Sequence, residues 1–221
     1  AKQVHDMVID YEERAAKLAR ETTGKNGEFA SAPIPEDYQG IHSAIVAFKE
    51  YRKTDKRGWV TEGSDLSVLF TNIQSKLRMM ARPLYVPPQG LLPEDLDKDL
   101  TDLTATEREY YAKLALALRQ LLDRLRRDYA AIANPLVGTL KEFGKFLGQE
   151  CDAPIDEQPK LYQDKRQELA GLVEGQLPAL EAAERACDAA NIDENEYCDE
   201  TYDDIKFNYE RLLADYDKKI L

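Results

Sequence analysis

LDKDLTDLTATEREYYAKLALALRQLLDRLRRDYAAIANPLVGTLKEFGKFL, residues 96–147, reads as one uninterrupted helical repeat. Apolar or small residues recur at Leu96, Leu100, Leu103, Tyr110, Leu114, Leu118, Leu121, Leu125, Ile132, Leu136, Leu140, Phe143 and Leu147. The steps alternate between three and four, with one polar member, Glu107, and one slot shared by Asp128 and Tyr129. That 3.5-residue period belongs to helices packed side by side in bundles and coiled coils. At 1.5 Å per residue the segment would reach roughly 80 Å, more than twice the width of a small domain. The expectation is therefore a rod, in which this helix leaves one bundle and enters the next.

Composition agrees with that expectation. The chain has 221 residues, 43% hydrophobic and 33% charged, with only 11 glycines. Such a balance suits long helices with narrow apolar stripes and broad solvated faces. Strand-like runs bounded by turn dipeptides are missing, so the fold class is all-α. Net charge is −12 and unevenly spread. Residues 1–120 carry 17 basic and 19 acidic groups, a net of −2; residues 121–221 carry 13 and 23, a net of −10. The acidic half would repel phosphate backbones and anionic lipid headgroups, so neither nucleic acid nor membrane is an expected partner. Three cysteines without CxxC spacing read as free thiols of a reducing compartment. No apolar run reaches 18 residues, and the first residues carry no signal-peptide pattern.

Outward from the long helix, periodicity places a first helix over about 3–23 and a glycine- and proline-containing loop from Gly24 to Pro35. A second helix begins near Glu36, breaks around Arg52–Gly63 where the only tryptophan, Trp59, sits, and resumes from Leu66. The proline-rich stretch Arg82–Pro93 is a loop, and Pro93 opens the third helix. A second cycle follows: the tail of the long helix, a helix over about 159–190, a turn at Asn191–Asp193 and a last helix. Corresponding loops lie about 110 residues apart, which makes an internal repeat of three-helix units sharing a helix. The boundaries expected are 1–120 and 121–221. Pro135 and Pro178 fall inside helical patterns; each should kink its helix, or Pro135 should end it.

Leu66-Ser-Val-Leu-Phe-Thr-Asn-Ile-Gln-Ser-Lys-Leu-Arg78, followed by Ala81-Arg-Pro-Leu-Tyr-Val-Pro-Pro-Gln-Gly90, closely resembles the end of the second helix and the next loop in the first rod repeat of α-actinins, which are spectrin-repeat proteins. The resemblance is strong over about 45–115. The family usually places tryptophans in the first and third helices, where this sequence has Glu21 and Leu100. Animal members carry four rod repeats and this chain has room for two, as in a short-rod member or a fragment. The resemblance implies a cytoplasmic, cytoskeletal rod that pairs antiparallel as a homodimer. Actin filaments would be reached only through flanking domains outside these residues.

Candidate chemistry is sparse. His5 and His42 lie in no Glu-x-x-His or His-Glu-x-x-His pattern, and no paired nucleophile and base or glycine-rich phosphate loop occurs. No cofactor, metal site or catalytic residue is expected. The acidic run 193–204 lacks the glycine that a calcium loop needs at its sixth position, where Cys198 stands. Its carboxylates instead suit the first turn of a helix, where they favour the dipole, or an acidic docking face. The basic cluster Arg52, Lys53, Lys56 and Arg57 is opposite in sign to Asp199, Glu200, Asp203 and Asp204. In an antiparallel pair these eight residues are the candidate interface. The alternative is a monomeric scaffold that docks a basic partner through the acidic last helix.

Overall fold

The computed structural model describes residues 2–221, and every regular element among them is helical. Helix α1 covers Lys2–Ser31, α2 Tyr38–Tyr51, α3 Arg57–Met79, α4 Pro93–Gly148, α5 Gln158–Val173, α6 Leu177–Ala189 and α7 Tyr202–Ile220. The chain divides into two compact units, one ending at Leu118 and the other spanning Arg119–Leu221. Each has the three arms of a spectrin-like repeat: α1, α2–α3 and the start of α4 in the first, the rest of α4, α5–α6 and α7 in the second. The 56 residues of α4 are continuous across the boundary.

The cores follow the heptad seams. In the first unit Val4, Tyr11, Ala15 and Leu18 of α1 meet Leu66 and Ile73 of α3 and Leu96 of α4. In the second, Leu136, Leu140 and Phe143 of α4 meet Tyr162 and Leu169 of α5, Leu180 of α6, and Ile205, Tyr209 and Tyr216 of α7. Each buried Leu or Ile contributes about 1.5–3 kcal/mol, so the seven such residues in each unit outweigh the weak propensity of individual helices.

Several sequence expectations are corrected. Helix α1 does not stop at Gly24; it runs to Ser31 through Gly24 and Gly27. Each glycine costs about 1 kcal/mol in a helix interior. The return comes from Phe29, whose ring packs on Phe48, Tyr51 and Tyr110 with centroids 5.6, 5.0 and 4.9 Å away. The break expected at Arg52–Gly63 is not a break. A single π-helical turn, Arg52–Lys56, joins α2 to α3. The seam shows why: buried Tyr51 is followed by buried Lys56, a step of five where three or four is normal, and the wide turn absorbs the extra residue.

Pro135 does not end α4, which continues to Gly148. Pro178 does interrupt the helix expected over about 159–190. Helix α5 closes at Val173, and Pro178 lies in the first turn of α6, where its missing N–H costs nothing. Only the end of the acidic run, Asp203 and Asp204, lies in the first turn of the last helix. Residues 193–201 are an ordered loop, and α7 starts at Tyr202 behind a capping box of Thr201 and Asp204.

Candidate functional site

The basic cluster lies on the wide turn, which aims its members in different directions. Arg52, Lys53 and Arg57 are exposed. Lys56 is not; it is 8% exposed, and beside it Glu107 of α4 is 2% exposed. The Lys56 Nζ donates to Glu107 Oε1 and to Thr104 Oγ1, each at 2.8 Å. Tyr51 donates its hydroxyl to the same Glu107 oxygen at 2.8 Å. Burial, then this carboxylate, pushes the Tyr51 phenol well above its ordinary range. Lys56 is therefore withdrawn from any surface, and the polar step at Glu107 is a buried ion pair. Lys25 sits over the Phe29 and Tyr51 rings at 5.2 and 5.1 Å, which closes the cluster from the α1 side.

Trp59, on α3, donates its indole N–H to Glu21 at 2.9 Å. Its ring is 5.9 Å from Tyr51. Leu100 finds room because Gly63 has no side chain: a Cβ there would stand 3.2 Å from Leu100 Cδ1. One indole from the middle arm thus packs where the first helix has Glu21.

The proline-rich loop is clamped to the bundle. The Gln74 amide accepts from Tyr85 N–H at 2.9 Å and donates to the Tyr85 carbonyl at 2.8 Å. Tyr85 donates its hydroxyl to Glu12 at 2.7 Å, and Tyr11 donates to the Leu91 carbonyl. Tyr11, Phe70 and Tyr85 share ring contacts of 5.6–6.2 Å. Gly90 supplies a left-handed backbone at φ 84°, and Ala81 adopts φ 51° where α3 ends.

In the second unit the acidic loop is strapped onto α4. Asn195 donates to the Arg126 carbonyl at 2.9 Å, Arg126 returns a bond to the Glu194 carbonyl at 3.1 Å, and Asn134 donates to the Tyr197 carbonyl at 3.0 Å. Tyr129 donates to the Glu200 carbonyl at 2.6 Å, and Tyr197 donates to Asp123 at 2.5 Å beneath the Arg127 guanidinium. Those bonds, Tyr197 first and Arg127 second, hold the Asp123 carboxyl below its usual range. Asp199, Asp203 and Asp204 are exposed and Glu200 is half-buried. One Glu200 carboxylate oxygen is shielded with no hydrogen-bond partner. A cavity of about 610 Å³ lies under the loop, lined among others by Tyr129, Cys187, Cys198 and Glu200. Both cysteines are free thiols, and burial raises their pKa.

His5 and His42 are exposed, and His42 stacks on Tyr38. Among the described residues no group of three or more His, Cys, Asp or Glu is placed to hold a metal ion, and no helix is long and apolar enough to cross a membrane. The Lys56–Glu107 pair escaped the sequence reading because its partners are 51 residues apart; the five-residue step was the available signal.

No family model matches the chain. Known proteins do. "Alpha-actinin-like protein 1" of Schizosaccharomyces pombe is 26% identical over 208 residues, 93% of this chain and 33% of that protein. "Alpha-actinin A" of Dictyostelium discoideum is 31% identical over 131 residues, 57% of this chain and 15% of that protein. "Spectrin beta chain, non-erythrocytic 4" of Homo sapiens is 32% identical over 116 residues, 52% of this chain and 4% of that protein. The chain spans a third or less of the length of each. In sequence and in helical architecture, it resembles an α-actinin-like spectrin-repeat rod domain.

Proposed function

We propose that the chain is the rod of a cytoskeletal actin-crosslinking protein, spacing end domains and pairing antiparallel with a second copy. The observation that carries the reading is α4, Pro93–Gly148, which supplies residues to both compact units. A helical connection resists bending where a loop would not, and filaments held at a fixed spacing need that stiffness. Similarity to α-actinins supports the actin-linked role, which would be exercised through flanking domains.

Antiparallel pairing would set the near-neutral residues 1–120 of one chain against the acidic residues 121–221 of the other, and two-fold symmetry repeats the contact. Arg52, Lys53 and Arg57 would face Asp199, Asp203 and Asp204, with Glu200 at the margin. Rim charges of this kind set orientation and association rate more than affinity. Lys56, already paired inside its own unit, takes no part.

Sedimentation at several concentrations, combined with small-angle scattering, tests the reading. The expected particle has twice the 25.2 kDa mass of one chain, is elongated, and dissociates as salt rises. Reversing Arg52, Lys53 and Arg57 to glutamate should weaken it. An elongated monomer would favour the second reading, a scaffold that docks a basic partner on the acidic surface. Its support is the ordered 193–201 loop, which holds its carboxylates out on a strapped backbone.

A further inference from the structure

We infer that the outer groove between α4 and α7 of the second unit is a docking site for an acidic amphipathic helix of a partner protein. The groove measures about 760 Å³ and shares only Glu200 with the cavity under the acidic loop. It does not depend on the pairing proposed above.

Its floor comes from periodicity. Val137, Leu140, Gly144 and Leu147 follow one another at steps of three, four and three along α4, and Leu212 closes the floor from α7. Leu140 and Leu212 are each 8% exposed, so they are shared between the interior and the groove. Gly144 and Gly148 are bare: a Cβ built on either meets nothing within 4 Å. Glycine in a helix interior costs about 1 kcal/mol relative to alanine. No neighbour in the unit uses the space these two leave. A docked helix would use it, because interaxial separation is set by side-chain size at the contact.

The walls carry the specificity. Lys141, Arg211, Lys218 and Lys219 line the groove, opposed only by Glu200 and Asp215. The local balance is thus two positive charges, in a half of the chain that carries −10 overall. Lys218 is tied to Asp215 at 3.6 Å and Lys219 lies 6.0 Å over the Tyr162 ring. Lys141 and Arg211 are exposed and make no ion pair or hydrogen bond among the described residues. An apolar floor with a bare glycine step and a cationic rim is complementary to a helix with apolar anchors at i, i+3/4 and i+7 and carboxylates beside them.

The test uses the whole chain and two fluorescently labelled 20-residue helical peptides sharing one leucine stripe, one with glutamates beside it and one with lysines. Nonspecific attraction to a chain of net charge −12 favours the lysine peptide, so a preference for the glutamate peptide reports the groove. Anisotropy titrations should give the glutamate peptide at least about tenfold tighter binding. Gly144→Leu, which fills the open step without touching the core, should weaken it about tenfold or more, as should Lys141→Glu with Arg211→Glu. Thermal melting of each variant controls for folding. Equal or lysine-preferring binding, no binding, or binding indifferent to both variants would overturn the proposal. If the chain alone self-associates and Gly144→Leu abolishes that, the occupant is a second copy and the partner-helix proposal fails. A monomeric chain that still binds the glutamate peptide would sink the antiparallel reading and leave this one standing.

Discussion

Replacing Glu107 by leucine removes the acceptor that neutralises Lys56 in the core of the first unit. The side chains are 10% and 3% exposed, so water does not take the place of the lost partner. Breaking a buried pair from one side costs about 3–5 kcal/mol, because a desolvated charge remains. Thr104 Oγ1 stays within 2.8 Å of the ammonium and softens the loss. Tyr51, deprived of its only bond here, adds about 1 kcal/mol. The two adjustments offset, leaving an expected cost of about 4 kcal/mol. Lys56→Met strands the carboxylate and should cost about 3 kcal/mol. The triple variant Tyr51→Phe, Lys56→Met, Glu107→Leu replaces the whole network by apolar groups. It should fall within about 2 kcal/mol of the parent on either side, so the coupling among the sites is several kcal/mol. Urea unfolding followed by tryptophan emission isolates the first unit, since Trp59 is the only tryptophan and lies 5.9 Å from Tyr51. Circular dichroism follows both units at once. A single variant costing less than about 1 kcal/mol, or a triple variant as unstable as the sum of its parts, would refute the network as a buried charge device.

Other outcomes follow from the same geometry. Pro135→Ala restores a backbone donor inside α4 and should stabilise the second unit by up to about 3 kcal/mol, read as a higher melting midpoint; no gain would mean that the local helix already compensates. Gln74→Ala removes both bonds to Tyr85 and should cost about 1–3 kcal/mol while speeding amide exchange at Tyr85. Burial raises Tyr11, Tyr209 and Tyr216 to about 12 from a reference of 10, so their contribution to stability is whole below pH 10 and is lost between 10 and 12. Ultraviolet titration at 295 nm should show these three, together with the buried phenols of Tyr51, Tyr85 and Tyr129, ionising only late or on unfolding; a single transition near 10 for all 12 tyrosines would contradict the packing. The Arg14 bond lowers the Glu62 carboxyl, so that half-exposed pair stabilises above the ordinary carboxylate range and fades as pH falls through the lowered value. Glu62→Gln should cost about 0.5 kcal/mol at pH 7 and nothing once the carboxyl is protonated, which parallel acid titrations would check.

The heptad seam was legible because each position is decided locally: Leu96, Leu103, Leu114, Leu121 and Leu136 are all buried where the period puts them. Failures came where a distant residue outvoted local preference. Gly24 and Gly27 look like a helix stop until Phe29 is seen among Phe48, Tyr51 and Tyr110. Lys56 looks solvated until Glu107 appears beside it. The acidic run 193–204 looks like a helix start, yet Tyr129, Asn134 and Arg126 capture its carbonyls and Thr201 caps the helix eight residues later. Composition announced the charges of the candidate site but not the backbone that would carry them.

The wide turn at Arg52–Lys56 separates two properties that an α-helix normally locks together, its length and its phase. A residue added to an ordinary helix rotates everything beyond it by about 100°, which would swing Leu66 and Ile73 out of the core. Here the surplus is spent within one turn, and both arms keep their apolar faces inward. The middle arm thus holds a tolerated insertion, and its gene could gain or lose that single codon without recutting the core on either side.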